Sequence, residues 1–437
     1  MQLKDRRNRV RDIGTPLAAA TCALLGQGVP GAVSAQELAP WDVDTSMLLY
    51  SESDGRVRDV SLTARARKEM REEKFLNLTL AIDSLTGASP SGAMPANIVQ
   101  TFTSPSGDSQ YTVAPGAQAL DTSFLDTRTA LTANWEMPLT RLALLSVGAS
   151  LSDEYDYSHT GVNARLARDF NNRNTTLSFG VALANDTISP VGGSPVALAP
   201  MLGLGASANK RGDQSKDVTD WLFGVTQVLS RHTILQLNYS LSQADGYLTD
   251  PYKILSVVDP VTGNPVAGAP GSGLNRYLYE SRPDARDKQS VFALLKRDFD
   301  GDVLEASYRY MTDDWGVDSH TVELRYRWSF GARYLQPHLR FYQQTAADFY
   351  RTVLFGGAPL PAYATADHRL GEFDGVTLGF KYGQATASGN EWSARIEYYT
   401  QSGSASPGSH VGALAGFDLY PDLNALIAQF SYRFGRR

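Results

Sequence analysis

The sequence predicts an all-β fold: a transmembrane antiparallel up-and-down β-barrel of about sixteen strands, with fourteen to eighteen compatible with the same pattern. Two observations carry this. Short stretches alternate apolar and polar residues over most of the 437-residue chain, as strands with one oily and one wet side do. The connections between them alternate between a short and a long class, as periplasmic turns and extracellular loops do in outer-membrane barrels. No run of eighteen apolar residues occurs, so no helix of the sequence spans a bilayer. A barrel escapes that test, because half of each strand stays polar.

From the first residue, Lys4, Arg6, Arg7, Arg9 and Arg11 form a basic segment, 13–25 is short and apolar, and Val33-Ser34-Ala35 offers a small-x-small cleavage site. Residues 1–35 therefore read as a cleaved secretory signal and 36–437 as one barrel domain. Arg6-Arg7 resembles a twin-arginine signal, but that route suits proteins folded before export, and a barrel folds in the membrane. The one cysteine, Cys22, lies in the signal, so the expected mature chain has no disulfide and no thiolate metal site. The whole chain carries a net charge of −6. The signal holds five Lys/Arg and two Asp/Glu, so the remainder carries −9, which argues against nucleic acid as a partner.

Candidate strands cover 42–52, 56–68, 74–83, 122–135, 141–152, 158–170, 174–186, 217–229, 233–243, 289–299, 303–312, 318–330, 334–345, 371–382, 391–401 and 423–434. The first two join through the hairpin-sized Ser53-Asp54-Gly55. In Leu76-Asn77-Leu78-Thr79-Leu80-Ala81-Ile82-Asp83 the even side is aliphatic and the odd side mostly polar. Val322-Glu323-Leu324-Arg325-Tyr326-Arg327-Trp328 and Trp392-Ser393-Ala394-Arg395-Ile396-Glu397-Tyr398 repeat this with full charges. Arg or Glu against lipid costs on the order of 2–4 kcal/mol near the midplane, so the charged side faces water or an ion partner. The last strand puts Phe430, Tyr432 and Phe434 on the lipid side and Gln429, Ser431 and Arg433 opposite. Its aromatic end is what outer-membrane assembly machinery is expected to read, although Gly435-Arg436-Arg437 follow Phe434. Turns after even strands are short, including 136–140, 230–232, 300–302 and 331–333; the long connections, 84–121, 187–216, 244–288, 346–370 and 402–422, all follow odd strands. Trp135, Trp221, Tyr308, Tyr310, Trp328 and Tyr398 near strand ends suit an aromatic girdle, or ordinary β-propensity.

Carried through every strand, the same parity assigns a candidate pore lining: Arg65, Arg67, Arg128, Arg165, Glu305, Arg309, Glu323, Arg325, Arg327, Arg340, Lys381, Arg395, Glu397 and Arg433, with Asp83, Asp126 and Asp169 beside them. Basic groups outnumber acidic ones by eleven to six, which favours anionic solutes. The alternative is a salt-bridged lumen that stabilises the barrel and conducts little. No catalytic residue, metal site or cofactor is expected. His159, His232, His320, His338, His368 and His410 lack ligand spacing, with His159 and His410 near or in outer loops and His338 in the lumen beside Arg340. Asp298-Phe299-Asp300-Gly301-Asp302 resembles the start of a calcium loop, but Arg309 stands where a bidentate Glu is needed. The acidic outer hairpin Ser152-Asp153-Glu154-Tyr155-Asp156-Tyr157-Ser158 has the groups to bind a divalent cation weakly, but a solvated loop is the stronger reading. Ser158 adjoins His159, yet adjacent strand residues point to opposite faces, and no G-x-S-x-G occurs. Long loops are functional or disordered; 84–121 and 244–288 are long enough to fold into the barrel mouth, or to remain flexible on the surface.

Leu78-Thr79-Leu80-Ala81-Ile82-Asp83-Ser84-Leu85-Thr86-Gly87-Ala88-Ser89-Pro90 and Tyr279-Glu280-Ser281-Arg282-Pro283-Asp284-Ala285-Arg286 resemble the two hallmarks of a family of uncharacterised proteobacterial outer-membrane proteins. The resemblance covers nearly all of the mature chain. It implies an outer-membrane barrel without an established activity, encoded near a small lipoprotein, thioredoxin-like proteins and a flavin transferase. The expected function is a porin-like or gated conduit for small solutes. The alternative is a non-conducting anchor for a lipoprotein or a periplasmic redox partner. Outer-membrane lipids and the assembly machinery are the other expected partners; oligomeric state is left open, since sixteen strands suit trimeric porins and monomers alike.

Overall fold

The structure is a computed structural model and describes residues 41–434 except 88–89, 105–108, 121–124, 207–208, 269–273 and 407. The expected signal peptide, Cys22 and Gly435-Arg436-Arg437 lie outside the described residues.

Sixteen antiparallel strands form a closed barrel. In chain order they are β1 (Asp42–Glu52), β2 (Arg58–Glu69), β3 (Phe75–Thr86), β4 (Leu125–Thr140), β5 (Ala143–Asp153), β6 (Tyr157–Phe170), β7 (Thr175–Ile188), β8 (Gln214–Ser230), β9 (Thr233–Gly246), β10 (Ala285–Phe299), β11 (Asp302–Asp313), β12 (Asp318–Phe330), β13 (Arg333–Gln344), β14 (Phe373–Ala385), β15 (Glu391–Gly403) and β16 (Leu423–Phe434). Each strand pairs with its neighbours in sequence, and β16 closes on β1 from Val43↔Phe434 to Glu52↔Ala425. Closure leaves no sheet edge, the condition for strands to cross hydrocarbon.

One parity of every strand is apolar and faces outward. Met47 and Leu49 of β1 lie beside Phe430 and Ala428 of β16, and Val60 and Leu62 of β2 continue the belt. Leu378 is 63% exposed, Val162 56% and Phe430 52%. An apolar surface of that extent all round a closed barrel is solvated by lipid, not by water. The protein is therefore a transmembrane β-barrel of the Gram-negative outer membrane, with long extracellular loops and short periplasmic turns.

Two local departures from the sequence expectation have physical causes. Residues 136–140, expected as a turn, extend β4; Pro138 sits where the β4–β5 register shifts, at the strand end, where a missing N–H costs least. β8, β9 and β10 run three or four residues further than their hydrophobic alternation, because they go on pairing with one another beyond it. His159 lies within the strand expected at 158–170, as the third residue of β6 beside the outer connection.

The long outer connections pack together into a cap with its own core. Its centre is the short strand Ile254–Val258, every residue of which is buried. It pairs antiparallel with Tyr277–Tyr279 and parallel with Val353–Phe355. Around it, Ala93, Phe102, Val113, Met201 and Tyr277 form one apolar cluster, Leu255, Val257, Leu278 and Leu354 a second, and Met94, Val258, Val353, Leu414 and Leu419 a third. All five long connections contribute. Phe102 is fully buried, with its ring 4.7 Å from Tyr277 and 5.4 Å from Tyr111. Phe102→Ala should cost the cap about 3–5 kcal/mol through the cavity it leaves. Increased proteolysis of the outer loops, with the heat-modifiable gel shift of the barrel retained, would register this; an unchanged cleavage pattern would count against an independently packed cap.

Candidate functional site

The site is the barrel lumen and the cap seated in its outer mouth. Register places every residue of the expected lining on the inward face, opposite the lipid-facing parity. Arg65 and Arg67 lie beside Asp44 and Asp42, and Arg433 beside Asp44, with Arg433 Nε 2.7 Å from the Asp44 carboxylate. Many of these charges are neutralised in place. Arg67 meets Glu136 at 3.3 Å, Arg128 meets Asp83 at 2.6 Å, and Glu305 meets Lys296 at 2.7 Å. Arg325 pairs with Glu323 along its own strand. His338 bridges Glu323 at 2.9 Å and Glu397 at 2.8 Å, and Arg395 completes that cluster at 3.5 Å from Glu397.

The remaining cations behave differently. Arg327 stacks over the Tyr334 ring at 3.7 Å, and Lys381 approaches the same ring at 5.8 Å. Arg309 lies over Phe292 and Arg340 over Tyr342. Among the described residues, none of these four makes an ion pair, and neither do Arg65 or Arg165. On the lipid side, Phe430, Tyr432 and Phe434 pair with Met47, Thr45 and Val43.

The structure also brings to the wall three cations that sequence parity left in loops. Lys216, Arg286 and Lys288 share the inward parity of their strands. The signal was there: Arg286 and Lys288 keep step with Ser290 and Phe292. Charge ended the apolar alternation before the strand itself ended.

The cap enters this wall through residues 247–253. A cavity of about 790 Å³ is lined by inward groups of the wall, including Lys216, Lys288 and Tyr342, and by Asp250, Pro251, Tyr252 and Arg369 of the cap. A second, of about 640 Å³, is lined by Tyr50, Tyr399 and Gln401 of the wall and by the same four cap residues. The two cavities meet at those four residues.

Six charged side chains hold this segment. Arg282 contacts Glu280 at 2.6 Å and Asp367 at 2.8 Å; Arg369 contacts Asp367 and Asp250, each at 2.6 Å. Lys253 donates to the Pro90 carbonyl at 2.6 Å. Glu280 is fully buried, and accepts hydrogen bonds from the Asp250 N–H and the Thr365 hydroxyl. Three carboxylates face three cations, as burial demands. Burial pushes Glu280 up to about 7 against the pull of Arg282. Burial also opposes the charge of Asp367, but Arg369 and Lys253 outweigh it and hold its carboxyl below the usual range. Burial lowers His368 to about 3, so it is neutral.

Residues of the segments 78–90 and 279–286 converge here. Gly87, at φ +89°, lies so close to the Arg56 carbonyl that a Cβ would come within 2.4 Å of it. Pro90 receives Lys253, and Glu280 and Arg282 are the pair that latches the segment. At the rim, the carboxylates of Asp126, Glu154 and Asp156 converge within 4.8 Å. Burial, then the hydrogen bond and charge of Asp126, push Glu154 up to about 7. Tyr252 donates to Asp156, tying the cap segment to that rim.

Among solved structures, the fold is similar to the ferric enterobactin receptor PfeA of Pseudomonas aeruginosa, at 10% identity and a TM-score of 0.42 over 84% of this chain and 55% of that one. The chain thus spans about half the length of that receptor. It is also similar to a bacterial polysaccharide outer membrane secretin (9% identity, TM-score 0.45, 92% of this chain and 100% of that one). The outer membrane protein opdK of Pseudomonas aeruginosa is a third (10%, TM-score 0.38, 90% and 98%). No curated protein matches the sequence. A family model described as "Protein of unknown function (DUF3570)" matches residues 15–434.

Proposed function

The chain belongs to the DUF3570 family, and we propose that it is a conduit for small solutes across the outer membrane, closed at its outer mouth by the folded cap and biased by its wall towards anions. On this reading residues 1–35 are the export signal. One observation supports the conduit: a single latched segment, Asp250 to Tyr252 with Arg369, stands between two cavities of about 790 and 640 Å³ inside the barrel. A wall of this diameter has room for an aqueous channel. The cations without carboxylate partners supply the bias, since paired charges largely cancel.

Single-channel recording in planar bilayers tests this. Folded protein should give small steps with anion preference. Arg327→Gln with Lys381→Gln should lower the anion-to-cation permeability ratio, while Arg325→Gln, whose charge Glu323 already offsets, should change it less. An absence of steps from folded, heat-modifiable protein, with the cap intact or loosened, would sink the conduit.

A second reading, a non-conducting anchor for a lipoprotein or redox protein, draws on the cap's outer surface. Val99 is 59% exposed, Leu204 58% and Val261 79%, and apolar groups of that exposure suit a docking partner. Silence in the bilayer together with specific capture of such a partner would favour it.

A further inference from the structure

We propose that the inward faces of β5, β6 and β7 carry a serine hydrolase site, Ser150–His159–Asp186, acting on small water-borne carboxylic esters. The sequence hides it, because His159 adjoins Ser158, which points the other way. The barrel instead brings Ser150 to His159 from the neighbouring strand. Ser150 Oγ lies 3.0 Å from His159 Nε2, and His159 Nδ1 lies 2.7 Å from Asp186 Oδ1. With the proton on Nδ1, the imidazole donates to Asp186 and accepts from Ser150, the arrangement in which a serine becomes a nucleophile.

Three further features suit chemistry. Asp186 is 3% exposed, and its other oxygen accepts from Tyr157 at 2.5 Å and contacts Lys216 at 3.0 Å. Its orientation is therefore fixed, and it acts as a positioning residue. Gly161 lies directly across from Ser150, and a Cβ there would come within 2.7 Å of Ser150 Oγ and 3.1 Å of His159 Nε2. Glycine in a strand interior weakens the strand, and here it leaves the space the pair needs. The Asn163 amide stands over Gly148, two residues from Ser150 along β5, and is the donor we assign to the oxyanion. Tyr157 and Lys216, which hold Asp186, also line the 790 Å³ cavity, so water and solute in that cavity reach the site's edge.

In the reaction, Ser150 Oγ bonds to the acyl carbon and its proton passes to His159 Nε2. The ester C–O bond breaks, and the departing alcohol takes that proton. Water then adds to the acyl-serine and gives a proton to His159. The Ser150 ester bond breaks, the serine regains its proton, and the carboxylic acid leaves. Because Ser150 faces away from lipid, bilayer phospholipid is not a substrate.

The test uses full-length mature barrel in detergent, shown folded by heat-modifiability. An alkyl fluorophosphonate should label it once, on the peptide containing Ser150, and p-nitrophenyl butyrate should be hydrolysed. Ser150→Ala, His159→Gln and Gly161→Ala should each lower both readouts roughly 100-fold or more, whereas Ser46→Ala, an inward serine on β1, should leave them unchanged. Asp186→Asn should keep the label site but displace the pH profile of hydrolysis, which a merely structural role would not do. Labelling absent from folded wild-type protein, or retained in folded Ser150→Ala, would overturn the proposal. Hydrolysis of phospholipid vesicles would overturn the assignment to a lumenal substrate.

Discussion

Arg282→Met is expected to unlatch the cap and leave the barrel standing. Arg282 is the link between Glu280 and Asp367, both almost wholly buried. Its loss strands the Glu280 carboxyl in a dry setting and leaves Asp367 to Arg369, and breaking a buried ion pair in this way typically costs about 3–5 kcal/mol. The barrel does not share the cost, since its strands are held by their own ladders and by lipid. Hydrogen exchange across residues 247–284 should rise by two or more orders of magnitude, since each ~1.4 kcal/mol is tenfold. Heat-modifiability should persist, and conductance should increase if the segment between the cavities is what restricts flow. Unchanged exchange would mean that the latch contributes little. Loss of the gel shift would mean that cap and barrel fold as one unit.

The second large effect is on pH. Glu280 has a folded value of about 7, above its ordinary 4.5, because burial disfavours its charge. The folded cap therefore binds this proton more tightly than the unfolded chain does. Its stabilising contribution is complete below the ordinary value and falls as pH rises from about 4.5 to about 7, by up to roughly 3 kcal/mol. Asp367 works in the opposite sense. Held below the usual range, it stabilises above that range, and its contribution is lost as pH falls through it. Protection of the cap should thus be greatest near about pH 4–5. Glu280→Gln should remove much of the fall in protection between pH 4.5 and 7, leaving the smaller part that comes from Glu154 at the rim, measured by the same exchange experiment. A wild-type cap equally protected at both pH values would refute the assignment.

The wall was legible in the sequence because its signal is local. Whether a residue such as Leu378 or Arg395 faces lipid or lumen follows from a period of two, which survives without knowledge of any neighbour. Strand ends were harder to read where charge interrupted the apolar side, as at Lys216, Arg286 and Lys288, which parity left in loops. The cap was hidden for the opposite reason. Ile254–Val258 is a short apolar run among Gly and Pro, and periodicity cannot tell a buried strand from a surface loop. Its partners, Tyr277–Tyr279 and Val353–Phe355, come from different connections. Ser150 and His159 show the same limit on a smaller scale: they meet diagonally across two strands, whereas sequence proximity draws attention to Ser158.

The five-loop core of the cap also bears on how this protein is made. Phe102, Met201, Leu255, Leu354 and Leu414 arrive from hairpins spread along the chain. They can assemble only after those hairpins stand side by side. The cap is thus the last part to form, and its surface is a certificate of completed insertion. Proteases or antibodies outside the cell would meet unfolded loops on every stalled barrel and a compact dome on every finished one.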